Sequence, residues 1–469
     1  MSKSRPCDTT TTFIINTPSK RSIGEDRKII RSHVMRGKNR KRLPSRPTSW
    51  INSTQLKHSD GVNTRNSTPV PPKVGGELSF IRFPGEIDSA VFGNIWKLKD
   101  GMHPLELNLA PGRTDGSWLE PICSDAACFH FTIFVAMIYG DSMRGRDGTN
   151  KTALAHFIKA LGLLQERIAS LEYGLLTSDS TILVVVGLAM TSTATGDLEV
   201  ALRHMKGLHQ IVALRGGISA FRMDKQLQLK ILRADLGVAL TTGHKPLFFS
   251  EDIPWGSYIS RCEREVYFED LELSKNTALA DIRHFINGLD TRLRHIWDDI
   301  CQVVRAANIA IQCRLSLDIE IYQETMVSIH YRLLGLYFNA NDVNEAIRLI
   351  LLMFASSFFL QWRGAKTNYV YLSRHLKEVL LAHSTNSIPA GLLVWIYVVY
   401  TILDCNRDNQ VWLQRSLAQV LQVANLKSWN DTRSILNSIV WLGKLHDFSA
   451  KRTVEESLLA NVGIGAVGR

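Results

Sequence analysis

The stretch DLEVALRHMKGLHQIVALRGG, residues 197–217, predicts one amphipathic α-helix and so decides the fold class of the region around it. Its apolar residues recur at three- and four-residue steps, and most of its polar residues fall on the opposite side. Asp197 can cap the first turn, and Gly216 and Gly217 provide the left-handed exit that ends a helix. The apolar positions are Leu198, Ala201, Leu202, Met205, Leu208, Val212 and Leu214, and the polar ones are Arg203, His204, Lys206 and Gln210.

A second helix is predicted by QLQLKILRADLGVALTTG, residues 226–243, which also ends at a glycine, Gly243. Pro246 lies just beyond it, where a helix cannot continue. Because only a short connection separates the two amphipathic stretches, we expect them to pack against each other as a helical hairpin.

Segments further along the chain repeat the alternation of apolar helix and short polar loop. Residues 276–312 are long enough for one or two helices, and residues 342–362 begin with Asp342 and Glu345 in the spacing of a capping box. Alternating strand patterns are nearly absent. The sequence therefore predicts an all-α fold, a large multi-helix domain of packed helical hairpins that follows a disordered basic N-terminal segment.

Charge and composition divide the chain into three parts. The formal net charge is +11, but residues 1–75 hold 16 Lys and Arg against 4 Asp and Glu, which leaves 39 against 40 for the remainder. The stretch 43–79 is rich in Ser, Thr, Asn, Pro and Gly and cannot build a core. We therefore predict a disordered basic head and linker at residues 1–79, an all-helical domain at residues 80–450 and a flexible tail at residues 451–469.

Cysteine usage and apolar runs bear on the compartment. The seven cysteines are an odd number and are widely scattered, so we expect a reducing compartment rather than a disulfide framework. The start of the chain lacks an apolar run long enough for a signal peptide. The most apolar window, residues 388–403, is shorter than the roughly 20 residues that cross a bilayer. We interpret it as a buried helix and expect no membrane partner.

Motifs for metal binding and catalysis are absent or weak in the sequence. No Cys-x-x-Cys pair occurs, and the spacing of Cys123, Cys128 and His130 fits core cysteine better than a zinc site. Zinc-protease, nucleophile-elbow and Walker A motifs are missing as well. His295 and Asp299 stand four apart on a predicted helix, where such a pair is usually a solvated contact. We therefore predict no catalytic, metal or cofactor site and no enzyme activity.

Three charged residues of the hairpin allow two interpretations. Arg215, Arg233 and Asp235 either pair in the interior and fix the register of the helices, or stand as separate surface charges. Exposed ion pairs contribute under about 1 kcal/mol, so the sequence does not decide between the two.

The basic residues of the head form a two-part cluster. Lys20 and Arg21 come first, and a denser group follows later in the head. This arrangement is typical of nuclear localisation signals and of arms that lie along phosphates. Nuclear import, contact with the backbone of DNA or RNA, and a merely solvated tail are all open, with the nucleus as the favoured location. The denser group is Arg36, Lys38, Arg40, Lys41 and Arg42.

The hairpin segments ALRHMKGLHQIVALRGGISAF (201–221) and LKILRADLGVALTTGHKPLF (229–248) resemble the fungal-specific transcription factor domain. The stretch 428–441 is similar to the Trp-rich finish of that family. FIIN and IRSHVMR in the head look like the start of a subgroup that lacks the zinc binuclear cluster. The resemblance implies that residues 80–450 are the all-helical regulatory domain of the family.

The six-cysteine zinc cluster of that family has no counterpart in the head, where Cys7 is the only cysteine. The resemblance therefore implies a nuclear transcription-regulatory protein without its own zinc-cluster module, which acts through a helical domain that binds an effector or partner. The expected partners are a nuclear import receptor, a protein partner or second copy of the chain, and DNA held non-specifically by the head. A missing zinc-cluster exon, a helical scaffold protein and a helical enzyme without a recognisable motif are the alternatives.

Overall fold

The all-α prediction is confirmed in the structure, a computed structural model that describes most of the chain from residue 82 onward. Its described residues contain seventeen α-helices and one short parallel strand pair, Leu109–Ala110 (β1) with Leu317–Asp318 (β2). The head and linker predicted for residues 1–79 lie outside the described part. The described residues are 82–100, 107, 109–110, 117–146, 150–170, 172–249, 277–361, 369–382, 387–404 and 406–466.

The helices follow one another with short connections. In chain order they are α1 (Ser89–Asp100), α2 (Glu120–Ser124), α3 (Ala126–Ser142), α4 (Lys151–Ser170), α5 (Tyr173–Leu176), α6 (Asp179–Thr195), α7 (Leu198–Leu214), α8 (Lys225–Thr242), α9 (Thr277–Asn287), α10 (Thr291–Cys313), α11 (Ile319–Gly335), α12 (Val343–Phe359), α13 (Val370–Ala382), α14 (Ala390–Leu403), α15 (Arg407–Val423), α16 (Trp429–Ile439) and α17 (Gly443–Ala466).

The hairpin of α7 and α8 has the boundaries that its capping residues predict. The Asp197 carboxylate accepts a hydrogen bond from the Val200 N–H at 3.2 Å and caps α7. Helix α8 ends at Gly243, whose φ of 75° lies in the left-handed region that glycine tolerates best. Local hydrogen bonds and backbone freedom thus fix both helix ends.

Helix α8 separates two hydrophobic cores. The amino-terminal core contains buried residues of α2 to α4 and of α6 to α8, and the α8 face that points into it carries Ile231 and Val238. The carboxy-terminal core is larger and is built from α8 to α17, with Leu236 and Leu240 on the opposite face of α8. Because α8 contributes one apolar stripe to each core, it is a shared wall between them.

Helix α14 confirms the interpretation of residues 388–403 as a buried helix. Every residue from Leu392 to Thr401 is buried, and Trp395 donates a hydrogen bond from its indole Nε1 to the Val440 carbonyl at 2.7 Å. A buried Trp with its N–H satisfied contributes a large apolar surface without an unpaired donor. Among the described helices none combines the length and the apolar composition that a membrane span requires.

The segment 276–312 forms two helices rather than one. Helix α9 ends at Asn287, and the Gly288 N–H donates to the Phe285 carbonyl at 3.0 Å in the break that follows. Asp290 then caps α10 by accepting from the Arg292 N–H at 2.8 Å. A glycine followed by a capping residue accounts for the division.

The capping box predicted at the start of α12 is only half formed. The Asp342 carboxylate accepts from the Asn344 N–H at 2.9 Å, as an N-cap should. The Asp342 N–H, however, donates to the Asn339 carbonyl instead of to Glu345. The Glu345 carboxylate is fully buried and accepts from Arg348 at 2.5 and 2.8 Å. A buried carboxylate is stabilised by a charged, hydrogen-bonded partner, and this explains the departure.

The structure corrects the prediction of a flexible tail at residues 451–469, since residues 451–466 are helical. Helix α17 runs from Gly443 to Ala466 without a break at residue 450. Val454 and Ser457 are buried, and the Ser457 hydroxyl donates to the Thr453 carbonyl at 2.9 Å. The stretch KRTVEES, residues 451–457, has a single large apolar residue, so its helix could not be recognised from apolar periodicity.

Candidate functional site

The basic residues singled out in the head lie outside the described residues, so the structure does not place them. These residues are Lys20, Arg21, Arg36, Lys38, Arg40, Lys41 and Arg42. The candidate site in the described part of the chain is a surface groove between α9, α14 and α16, with a volume of about 530 Å³. This volume lies within the roughly 300–1,000 Å³ that small-molecule sites occupy.

The floor of the groove is apolar and closely packed. Gly391, in the first turn of α14, lies between Ile282 of α9 and Ile435 of α16. A Cβ atom at Gly391 would be 3.1 Å from the Ile282 Cδ1 atom and 3.4 Å from the Ile435 Cγ2 atom. These distances leave little room for a side chain, so the absence of one at Gly391 lets the three helices approach closely beneath the groove.

Polar side chains stand around this floor. Asp281 and His284 on α9 are exposed, as is Ser434 on α16. The Ser438 hydroxyl donates to the Ile435 carbonyl at 2.7 Å, which leaves its oxygen able to accept a hydrogen bond from a ligand. An apolar floor with a few polar groups at the rim suits a small, mostly apolar molecule that carries hydrogen-bonding groups.

The groove residues could not have been selected from the sequence. Ser387 to Gly391, SIPAG, read only as the start of an apolar helix, and α9 and α16 lie about 150 residues apart along the chain. The remaining signal was Gly391, two residues after Pro389, where a stronger helix former would be expected.

Two serine–histidine pairs lie in the carboxy-terminal core. The His330 Nε2 atom is 3.2 Å from the Ser356 Oγ atom, and the His446 Nε2 atom is 3.0 Å from the Ser357 Oγ atom. Burial lowers the pKa of His330 to about 4 and that of His446 to about 3. All four side chains are buried, and His330 donates from Nδ1 to the Met326 carbonyl rather than to a carboxylate. The pairs therefore connect helices and do not resemble an activated nucleophile.

The charged residues of the hairpin are in part interior but do not pair with one another. The Arg215 guanidinium contacts the Asp179 carboxylate. The Asp235 carboxylate is buried and accepts from the N–H groups of Leu247 and Phe248 at 2.8 and 3.0 Å. It also accepts from the Tyr331 hydroxyl at 2.8 Å. Burial raises the pKa of Asp235, although these hydrogen bonds oppose the rise.

Arg233 occupies a different environment from the other two charges of the hairpin. Its guanidinium lies 4.5 Å from the ring centroid of Phe359, and burial lowers its pKa to about 10. Each of the three hairpin charges is thus held by its own partners, and neither sequence interpretation describes the arrangement fully.

The pair His295 and Asp299 is not the solvated contact that its spacing suggested. Asp299 is fully buried and forms an ion pair with Arg332 of α11, with 2.5 Å between Oδ2 and Nη2. Both side chains are inaccessible to solvent, and His295 is only partly buried. The Asp299–Arg332 pair connects α10 to α11 in the interior, where an unpaired charge would be costly.

Cysteine and histidine side chains were the candidates for a metal site. Within the residues that the structure describes, no group of three or more His, Cys, Asp and Glu side chains is arranged to hold a metal ion. Cys128 is buried, and burial, with a smaller contribution from Asp125, raises the pKa of its thiol to about 12. Such a thiol stays protonated, as core cysteine does.

His130 is instead paired with a histidine on the next helix. Its Nδ1 atom lies 2.9 Å from the Nδ1 atom of His156 across the α3–α4 contact. Burial lowers the pKa of both rings, and the charge of Lys159 acts in the same direction. Both imidazoles are therefore neutral near pH 7.

Comparison of the chain with protein-family models, with curated proteins and with solved structures found no match.

Proposed function

We propose that this chain is a nuclear transcription-regulatory protein that acts through its helical domain and without a zinc-cluster module of its own. The observation that carries the proposal is the separation of charge along the sequence. Residues 1–75 hold 16 Lys and Arg against 4 Asp and Glu, whereas the remainder is close to neutral. A basic head on a near-neutral domain suits a targeting or phosphate-binding arm joined to a domain that binds something else.

The helical domain receives the regulatory input in this proposal. The groove between α9, α14 and α16 has the size of a small-molecule site and joins an apolar floor to a polar rim. We propose that it binds a mostly apolar effector with at least one hydrogen-bond donor, since Asp281 supplies a carboxylate at the rim. The resemblance of the α7–α8 hairpin sequence to the fungal-specific transcription factor domain supports a regulatory role for this domain.

The head is proposed to bind a nuclear import receptor through Lys20, Arg21 and the denser group that ends at Arg42. Its contact with DNA, if it lies along phosphates, is expected to be insensitive to sequence and to weaken as salt rises. The import role is tested with the full chain fused to a fluorescent protein. Alanine at Lys38, Arg40, Lys41 and Arg42 should move the fusion from the nucleus to the cytoplasm.

A control with three alanine substitutions replaces basic residues of the linker outside the cluster, Lys57, Arg65 and Lys73. This control should leave the fusion in the nucleus. A cluster variant that stays as nuclear as the parent chain would contradict the import assignment.

Transcriptional activity is tested by fusing the full chain to a heterologous DNA-binding domain and measuring a reporter gene. Ser434→Trp places a large ring in the groove from an exposed position and should change the reporter output. Asn437→Trp is the control, because Asn437 is exposed on the same helix and does not line the groove. A parent chain that leaves the reporter unchanged argues against transcriptional regulation, and equal output from the two tryptophan variants argues against the groove as the effector site.

A further inference from the structure

The contact between His130 and His156 is unusual because the same nitrogen of each ring faces the other. The two Nδ1 atoms are 2.9 Å apart, so one must carry a hydrogen and donate while the other accepts. The two neutral rings are therefore in opposite tautomers. The bridging hydrogen occupies the place where two imidazole lone pairs would otherwise meet.

Helices α3 and α4 hold this pair in place from several sides. The rings of Phe134 on α3 and Phe157 on α4 pack with their centroids 4.5 Å apart. At the turn of the hairpin, the Asn150 side-chain amide donates to the Asp141 carboxylate at 2.7 Å. The phenyl ring of Phe129 packs against the His130 ring with centroids 5.2 Å apart. These contacts hold α3 and α4 together and so keep the two imidazoles next to each other.

The separation of the nitrogens matches a particular coordination geometry. Two nitrogens each about 2.0 Å from a metal ion are about 2.8 Å apart when they subtend a right angle, and about 3.3 Å apart at a tetrahedral angle. The observed 2.9 Å is closer to the right angle. Adjacent positions at a right angle are typical of square-planar or tetragonal Cu²⁺ and Ni²⁺, and copper binds nitrogen ligands most tightly in this series.

We propose that His130 and His156 form a two-imidazole site for a tetragonal divalent transition-metal ion, Cu²⁺ by preference, with water in the remaining positions. The ion replaces the bridging hydrogen. The donor ring releases its Nδ1 proton to solvent and takes up a proton from solvent on Nε2, so both rings bind as neutral imidazoles and no net proton is released. Both rings turn about their side-chain bonds so that the Nδ1 lone pairs point to the ion. Before the ion binds, the ring planes are 47° apart. The site lies between α3 and α4, with His130 buried and His156 partly exposed, and it does not depend on the groove or on the proposed function.

Lys159 gives the proposal a second, independent test. It is exposed on α4 one turn beyond His156, and its positive charge opposes a bound cation. Lys159→Gln removes that charge without touching a ligand or the core. The proposal therefore requires that this variant bind Cu²⁺ more tightly than the parent chain, by about threefold for an exposed charge.

The experiment titrates the full chain with CuCl₂ and follows binding by calorimetry and by electron paramagnetic resonance. The parent chain should bind one ion whose spectrum shows coupling to two equivalent nitrogens. His156→Gln should lose that ion, or bind it at least about tenfold more weakly with coupling to one nitrogen. His244→Gln, at an exposed histidine outside the pair, should behave as the parent chain does.

Circular dichroism checks that each variant keeps its helix content. If His156→Gln does not fold, the copper affinity of Lys159→Gln tests the proposal by itself. Equal copper affinity and equal nitrogen coupling in the parent chain and His156→Gln would overturn the proposal. A Lys159→Gln variant with unchanged or weaker affinity would overturn it as well.

Discussion

Several buried histidines in this protein are neutral hydrogen-bonding side chains of the core. His446 is 5% exposed, and its Nε2 atom lies 3.0 Å from the Ser357 hydroxyl oxygen. Because burial penalises the imidazolium, the native protein takes up a proton there only in strong acid. The unfolded chain takes it up near the ordinary histidine pKa. This difference makes stability depend on pH.

His446→Phe tests the pH dependence. Burial lowers the pKa of His446 from 6.5 to about 3, so its contribution is complete above pH 6.5 and is lost as the pH falls toward 3. Between pH 7 and pH 5 the loss is about 2 kcal/mol. Urea unfolding measures the free energy of unfolding of both chains at the two pH values. Its fall from pH 7 to pH 5 should be smaller in His446→Phe than in the parent chain by about that amount. An unchanged difference would contradict the assignment, and His244→Phe at an exposed position is the control.

Asp235 is a second residue whose burial makes a prediction. Its carboxylate holds the loop after α8 through two backbone N–H groups and holds α11 through the Tyr331 hydroxyl. Asp235→Ala leaves one buried and two partly buried donors without their acceptor and should lower the free energy of unfolding by about 3 kcal/mol. Tyr331→Phe removes only one of these bonds and should cost about 1 kcal/mol in the same urea titration. Equal losses in the two variants would show that the backbone bonds contribute little.

At the scale of the helix, two glycine C-caps share one backbone conformation but differ in the space around them. Gly196 ends α6 with φ 81° and Gly243 ends α8 with φ 75°, so both require the left-handed region. A Cβ atom at Gly196 would meet open space, whereas at Gly243 it would lie 2.5 Å from the Tyr371 ring. A side chain at Gly196 therefore meets only backbone strain, whereas a side chain at Gly243 also meets the Tyr371 ring.

Alanine at each cap measures that difference. Gly196→Ala should cost about 1 kcal/mol, the strain of a left-handed alanine. Gly243→Ala should cost about 1–2 kcal/mol more, because Tyr371 must move away from the new methyl group. Thermal or urea unfolding measures both values. Adding Tyr371→Ala to Gly243→Ala should recover the additional loss, and failure to recover it would show that Tyr371 is not the cause.

At the scale of the whole molecule, α8 joins two hydrophobic cores into one compact unit. Ile231 is fully buried in the amino-terminal core, and Leu236 is fully buried in the carboxy-terminal core. Both side chains belong to one helix, so neither core can lose α8 without exposing the apolar stripe of the other. This arrangement predicts one cooperative unfolding unit rather than two independent ones.

Hydrogen exchange followed by mass spectrometry tests this cooperativity. Ile231→Ala and Leu236→Ala should each cost about 2–5 kcal/mol. Each should accelerate exchange of the slowest amides in α6 of one core and in α12 of the other core by a similar factor. If Ile231→Ala accelerated α6 alone while Leu236→Ala accelerated α12 alone, the two cores would be independent.

The sequence by itself determined which segments are helices and where many of them end. Asp197, Asp290 and Gly243 act on backbone groups within a few residues of themselves, so their effect can be read without knowing the neighbouring helices. Apolar periodicity likewise identified the buried helix α14. The charge difference between the head and the remainder is also a property of the sequence alone.

The tertiary structure decided which side chains meet. Asp299 pairs with Arg332, thirty-three residues away, although its spacing in the sequence suggested a solvated contact with His295. His130 faces His156 across a hairpin, although the sequence grouped it with Cys123 and Cys128. The groove around Gly391 exists only because α9 and α16 converge on the start of α14. Helix formation depends on interactions a few residues apart, whereas partners and cavities depend on how helices are oriented, which side-chain packing over the whole chain determines.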